Sequence, residues 1–174
     1  MTEVSRPAWA SSHPLLAHYY DTEWGFPVKD ERGVFERICL EAFQSGLSWL
    51  TILKRREGFR NAFAHFDPEI VATFAETDVA RLMADEAIIR NKLKIDATIN
   101  NASATVAMRA LGGLENLVWS FKPPKEAFDP RATFSPESIA LSKALKQSGF
   151  KFVGPTTVYA LMEAIGMVNP RVKQ

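Results

Sequence analysis

Residues 35–51, FERICLEAFQSGLSWLT, restrict the fold more than any other part of the chain. At roughly 100° per residue, Val34, Phe35, Ala42 and Ser45 fall within about 60° of Ile38 on a helical wheel, and Glu41 lies at the edge of the same face. Leu40 and Phe43 point elsewhere, so this helix is apolar on most sides and has to be buried. A carboxylate in such a helix loses its hydration and survives only with a partner or a task. Ser45-Gly46 ends the helix and Ser48 caps a second one, which carries Trp49 in its first turn. A buried acid and a large flat ring on two helices joined by a tight turn suit a flat, electron-poor or cationic ligand.

The apolar positions along the rest of the chain also keep helical spacing, and no segment alternates as a strand does. The expected fold class is therefore all-α, with about eight to ten helices in one domain spanning residues 1–174. Twelve Phe and four Trp are enough for a sizeable core. A formal net charge of +1 does not announce nucleic acid, so such a partner needs a local patch. The single cysteine, Cys39, sits inside the apolar helix and reads as a small core residue. Neither an internal disulfide nor a run of about 20 apolar residues is available, which points to a reducing cytoplasm and away from the membrane.

In chain order, Pro14 opens a short helix to Tyr20, and an aromatic-rich loop follows through Trp24. Trp9, Tyr19, Tyr20, Trp24 and Trp49 either converge on one pocket or belong to the core. The central helix is expected from Glu31 to Gln44 and the next from Ser48 to about Phe63. The latter presents Lys54, Arg55, Arg56 and Arg60 as a basic face, either solvated or in contact with phosphate. Asp67-Pro68 opens a helix to about Phe74, and Thr77-Asp78 another to about Met83. Ile88, Ile95, Ile99, Ala102 and Val106 place a long helix from Asp85 to about Leu111, with a short one through Leu117 and Trp119 beyond Gly112-Gly113. Residues 121–135 read as an ordered surface connection rich in proline.

Ser135-Pro136 caps a helix to about Gln147, and Pro155 starts the last one. Between them lies a turn ending in Val153-Gly154. Gly154 lets a backbone phosphate approach closely, and the amides of Gly154, Thr156 and Thr157 at the helix start can bind it. Lys146 and Lys151 add positive charge. By spacing alone, an ordinary helix–helix turn remains an open alternative.

These stretches together resemble the 3-methyladenine DNA glycosylase I family. The resemblance is carried by Asp21-Thr-Glu-Trp-Gly-Phe-Pro27, Ile38-Cys-Leu-Glu41, Ser45-Gly-Leu-Ser-Trp49, Lys54-Arg-Arg-Glu57, Ile88-Ile-Arg-Asn-Lys92 and Gly149-Phe-Lys-Phe-Val-Gly154. It implies a two-lobed helix-hairpin-helix DNA glycosylase fold, with that motif at about residues 136–166 and double-stranded DNA containing alkylated bases as partner. It also implies a monomer. Glu41 matches the family's pocket glutamate, and Tyr19 and Trp49 match rings that stack on the flipped base. Trp9 and Trp24 match tryptophans of the same region. Leu47 lies in the turn that approaches the gap left in the duplex, and Leu16 stands where the family often has a pocket tyrosine.

The implied reaction is release of 3-methyladenine, with water as the final nucleophile. Asn169 stands where many related glycosylases carry an aspartate, and no lysine is evidently placed as a Schiff-base nucleophile, so a monofunctional enzyme is expected. The family also ties its ends with a zinc ion. Here Pro7, Tyr20 and Arg171 stand at ligand positions, and the chain ends at Gln174 before the last one. No cofactor and no metal are therefore expected. The alternative within the same scaffold is a damaged-DNA binder with little or no excision.

Overall fold

The computed structural model describes residues 5–124, 129 and 131–168. Among them there are helices and turns and no strand. The ten α-helices are α1 (Ala8–Ser11), α2 (Pro14–Thr22), α3 (Glu31–Gln44), α4 (Trp49–Ala62), α5 (Pro68–Ala72), α6 (Glu76–Ala84), α7 (Lys92–Met108), α8 (Leu114–Ser120), α9 (Pro136–Gln147) and α10 (Pro155–Ala164). Most starts are capped by the residues that the sequence marks. Ser48, Asp67 and Ser135 each accept a hydrogen bond from a backbone amide of the turn they open. Pro14, Pro68, Pro136 and Pro155 occupy the first helical position, where the missing N–H has no intrahelical acceptor to lose.

Two places depart from the expected pattern. The long helix begins at Lys92 rather than Asp85, because Asn91 caps it through the amide of Lys94 (3.1 Å). The preceding residues turn instead, with Asp85 accepting from the Ala87 amide (2.8 Å) and Arg55 donating to the Glu86 carbonyl (2.7 Å). Between α4 and α5, Ala64, His65 and Phe66 all take positive φ, which no local residue type announces. Burial of Phe66 against Phe63 and Phe35 holds that turn. Of the 121–135 connection, residues 125–128 and Pro130 lie outside the described set.

Helix α3 is the axis of the packing. Val34, Phe35, Ile38, Cys39, Leu40, Ala42 and Phe43 are all buried, and α4, α7, α8 and α10 pack around them. Phe59, Phe63, Phe66 and Phe74 extend a run of ring contacts away from Phe43. Each such fully buried side chain contributes about 1.5–3 kcal/mol. Burial pushes the Cys39 thiol well up, in keeping with a core role. The loop after α2 is fastened to the end of α10 by Gly25 N–H to Ala164 O (3.0 Å) and Val28 N–H to Ile165 O (3.2 Å). Among the described residues no helix is long and apolar enough to cross a membrane.

Candidate active site

Helices α2, α3, α4 and α10 enclose a cavity of about 520 Å³, lined among others by Trp9, Leu16, Tyr19, Trp24, Glu41 and Trp49. That volume lies within the ~300–1,000 Å³ usual for small-molecule sites. The structure thus brings Glu41 together with Trp9, Leu16, Tyr19, Trp24 and Trp49 at one site, whereas Tyr20 packs against Trp9 and Trp24 and is not among the lining residues. The aromatic residues are in mutual contact. Tyr19 and Trp49 have ring centroids 5.5 Å apart, and Trp9 meets Trp24 edge-on at 5.7 Å. Tyr20 stacks behind Trp24 at 5.4 Å and also touches Trp9 at 5.6 Å. Leu16 and Tyr19 form a small second core with Leu53, so the floor of the cavity is fixed by packing between α2 and α4.

Glu41 is 6% exposed and has no hydrogen-bond donor among the described residues. Burial, with a further contribution from the charge of Glu163, raises its carboxyl to about 8 against the opposing pull of Arg37. Glu163 on α10 lines the same cavity, and burial raises it to about 7. Nothing in the sequence singles out this second acid. A single glutamate in α10 reads as the polar side of a helix, and only the packing of α10 on α3 brings it to Glu41. Burial and the Glu41 charge raise the Tyr19 hydroxyl, which therefore stays neutral. Trp49 keeps its indole N–H buried without a hydrogen-bond partner, a donor left available beside the cavity.

Gly46 takes φ +80°, which ends α3 and exposes the next residue, Leu47, to 39%. The hairpin between α9 and α10 carries Lys151, Gly154, Thr156 and Thr157. A Cβ at Gly154 would meet nothing within 4 Å, so neither packing nor its φ of −63° calls for glycine there, and the space belongs to the outside. The first helical bond of α10 runs from Val158 N–H to Gly154 O (2.9 Å), which leaves the amides of Gly154, Thr156 and Thr157 ahead of the ladder.

The basic face of α4 is used within the protein. Arg56 donates twice to Glu23 (2.7 and 2.8 Å), Arg60 pairs with Glu36 and Glu57, and Arg55 is bound to backbone carbonyls. Burial pushes Glu23 up, but the hydrogen bond and charge of Arg56, with Arg37, outweigh it and hold the carboxyl low. The phosphate reading of that face therefore loses three of its four cations.

The residues at the family's zinc positions do not fit a metal. Pro7 offers no side-chain ligand, and Tyr20 is packed between two tryptophans. Arg171 and Asn169 lie outside the described residues. Among the described residues no three His, Cys, Asp or Glu side chains are grouped to hold an ion. Arg6 is instead paired with Asp21 on α2 (2.6 Å), which fastens the N-terminal segment.

An all-α chain with a helix–hairpin–helix beside an acid-and-aromatic cavity has the two-lobed helix-hairpin-helix DNA glycosylase fold. The model of the methyladenine glycosylase family matches residues 9–174, and the chain belongs to that family. It is 46% identical to DNA-3-methyladenine glycosylase 1 of Escherichia coli (strain K12), over 97% of this chain and 94% of that protein. A crystal structure of 3-methyladenine DNA glycosylase I superposes with a TM-score of 0.89 at 46% identity, covering 95% of each chain. A tyrosine-to-phenylalanine variant of 3-methyladenine DNA glycosylase I, in complex with 3-methyladenine, superposes with a TM-score of 0.85 at 36% identity, covering 92% of this chain and 90% of that one.

Proposed function

We propose that this chain excises 3-methyladenine from alkylated double-stranded DNA by hydrolysing the N-glycosidic bond, as a monofunctional glycosylase acting as a monomer in the cytoplasm. The observation that carries this reading is Glu41, a buried carboxyl without a donor, set among aromatic rings in a cavity of about 520 Å³. Methylation at N3 leaves the adenine formally cationic. A desolvated cation against aromatic faces gains roughly 0.5–2 kcal/mol per contact. Tyr19 and Trp49 stack on the flipped base, with Trp9, Trp24 and Leu16 completing the walls. Glu41 accepts from the exocyclic amine or a ring N–H, a charge-assisted bond that the cation strengthens by drawing the carboxyl toward its ionised form. Unmodified adenine brings no charge and gains less.

The chemical demand on such a site is modest. The methylated base leaves as a neutral molecule, so its glycosidic bond is already weak and little acid catalysis is required. What remains is to extrude the nucleotide, at a few kcal/mol that damage reduces, and to stabilise an oxocarbenium-like sugar until water attacks. Leu47 enters the gap left in the duplex. Lys151 and the amides of Gly154, Thr156 and Thr157 hold a backbone phosphate. Release of free base from methylated duplex DNA tests the reading. Selective release of 3-methyladenine supports it, whereas tight binding of damaged duplex with no released base replaces it with a binder on the same scaffold.

A further inference from the structure

We infer that Lys94 and Asn101 are positioning residues that hold the Leu47 turn and the 149–154 hairpin in one fixed relation, so that both engage the duplex together. The inference rests on the reading of these two loops as DNA contacts. Lys94 and Asn101 are seven residues apart on α7, which puts them on one face and about 10.5 Å apart along the axis. Both are buried, at 8% and 1% exposure. Each reaches out of α7 to a different loop.

The Lys94 ammonium donates to the carbonyls of Phe43 (2.9 Å) and Ser45 (2.6 Å), the free carbonyl end of α3. It caps that helix with a charge of favourable sign and fixes the residue from which the Gly46-Leu47 turn departs. Asn101 grips the hairpin with both ends of its amide. Its Oδ1 accepts from the Lys151 N–H (2.8 Å) and its Nδ2 donates to the Lys151 carbonyl (2.9 Å). Asn100 adds a bond to the Gly149 carbonyl (2.7 Å), and Ser142 on α9 donates to the Val153 carbonyl (2.6 Å). Between these clamps Phe152 sits at φ +58°, a strained conformation for a side chain of that size. Such strain persists only where the surroundings over-determine it.

A ruler of this kind explains why a core-facing helix keeps a polar stripe. Thr98 and Thr105 continue it by donating to the carbonyls of Lys94 and Asn101 on their own helix. An apolar face would pack there without the burden of desolvating an ammonium and an amide. The stripe instead sets the spacing between an apolar wedge and a phosphate grip.

Steady-state excision from a methylated duplex tests this with five variants. Leu47→Ala and Gly154→Asp perturb the loops directly. Lys94→Met and Asn101→Asp perturb only their supports, with Lys94→Arg as the conservative variant, and binding of free 3-methyladenine reports the pocket. Expected is a rise in KM for DNA of about 10-fold for Lys94→Met and Asn101→Asp, with free-base affinity within twofold of wild type and recovery in Lys94→Arg. If the loop variants raise KM while folded Asn101→Asp does not, the inference falls and the loop reading stands. If Leu47→Ala and Gly154→Asp leave KM unchanged, the loop reading falls and takes the inference with it. A rise in KM with parallel losses of kcat and free-base affinity in the support variants marks a general structural role and also overturns it. Should Lys94→Met fail to fold, Asn101→Asp alone decides between these outcomes.

Discussion

Glu163 on α10 and Glu41 on α3 line one cavity, and neither carboxyl has a hydrogen-bond partner among the described residues. Two neighbouring acids at one largely buried site do not both ionise readily, and after burial the Glu163 charge is the next cause that raises Glu41. Arg37 opposes it from α3, and Tyr19 faces it from α2 as a neutral hydroxyl. Replacing Glu163 with Gln removes the like charge and leaves the burial. The acid limb of kcat/KM is therefore expected to move to lower pH. A pH–rate profile of Glu163→Gln beside wild type checks this, and an unmoved limb rules out electrostatic coupling of the pair.

The same titration bears on stability. Glu41 titrates at 4.5 in the unfolded chain and about 8 when folded. Between those values the native state holds a proton that the unfolded state has released, so stability falls as pH rises through that window. Below 4.5 both states are protonated and above about 8 both are ionised, so the slope vanishes at either end. Melting temperatures at pH 5 and pH 8.5 are expected to differ less in Glu41→Gln than in wild type. An equal difference in the two proteins would mean that Glu41 does not titrate with folding.

Arg56 tests the reading of the α4 face. Its two bonds to Glu23 join α4 to the loop after α2. Arg56→Gln is expected to lower stability by about 1–3 kcal/mol, since Glu23 is left beside fewer donors. The salt dependence of duplex binding is expected to stay unchanged. A phosphate contact at Arg56 would instead lower the slope of log K against log salt by about one, and a titration of binding against salt separates the two.

Leu16 departs from the pocket tyrosine frequent in the family, and it lines the cavity next to Tyr19. Leu16→Tyr adds a ring at the edge of a site built for a cation. Binding of duplex that carries the cationic N3-methylated adenine is expected to tighten by roughly 0.5–2 kcal/mol, while duplex with unmodified adenine gains less. Competition between the two duplexes for wild type and variant measures the ratio, and an unchanged ratio would show that position 16 does not set selectivity.

The central helix, its acid and the helix starts were legible because they depend on local chemistry. Ser48, Asp67 and Ser135 cap with their own side chains, and Glu41 is conspicuous by the apolar residues around it. Glu163, Lys94 and Asn101 were not legible. Each is a polar residue in a helix, which reads as a solvated face until another element is packed against it. The start of α7 lies later than the apolar spacing predicts, because Ile88 keeps that spacing although it is buried from the turn before the helix. Four-residue α1 offers no period to detect. The basic α4 face misled in the opposite sense, because its acidic partners Glu23 and Glu36 come from other segments.

The most direct measurement compares wild type and Glu41→Gln for release of 3-methyladenine from methylated duplex DNA, with the melting temperature of each recorded at the same pH. Expected is a fall in excision of at least about 100-fold, from loss of a charge-assisted bond to the base together with its Coulombic attraction, at an unchanged or higher melting temperature. Removing an unpartnered buried acid should not weaken the fold. Equal release by both proteins, or a loss of activity that tracks a loss of stability, would contradict the role of Glu41 as reader of the methylated base.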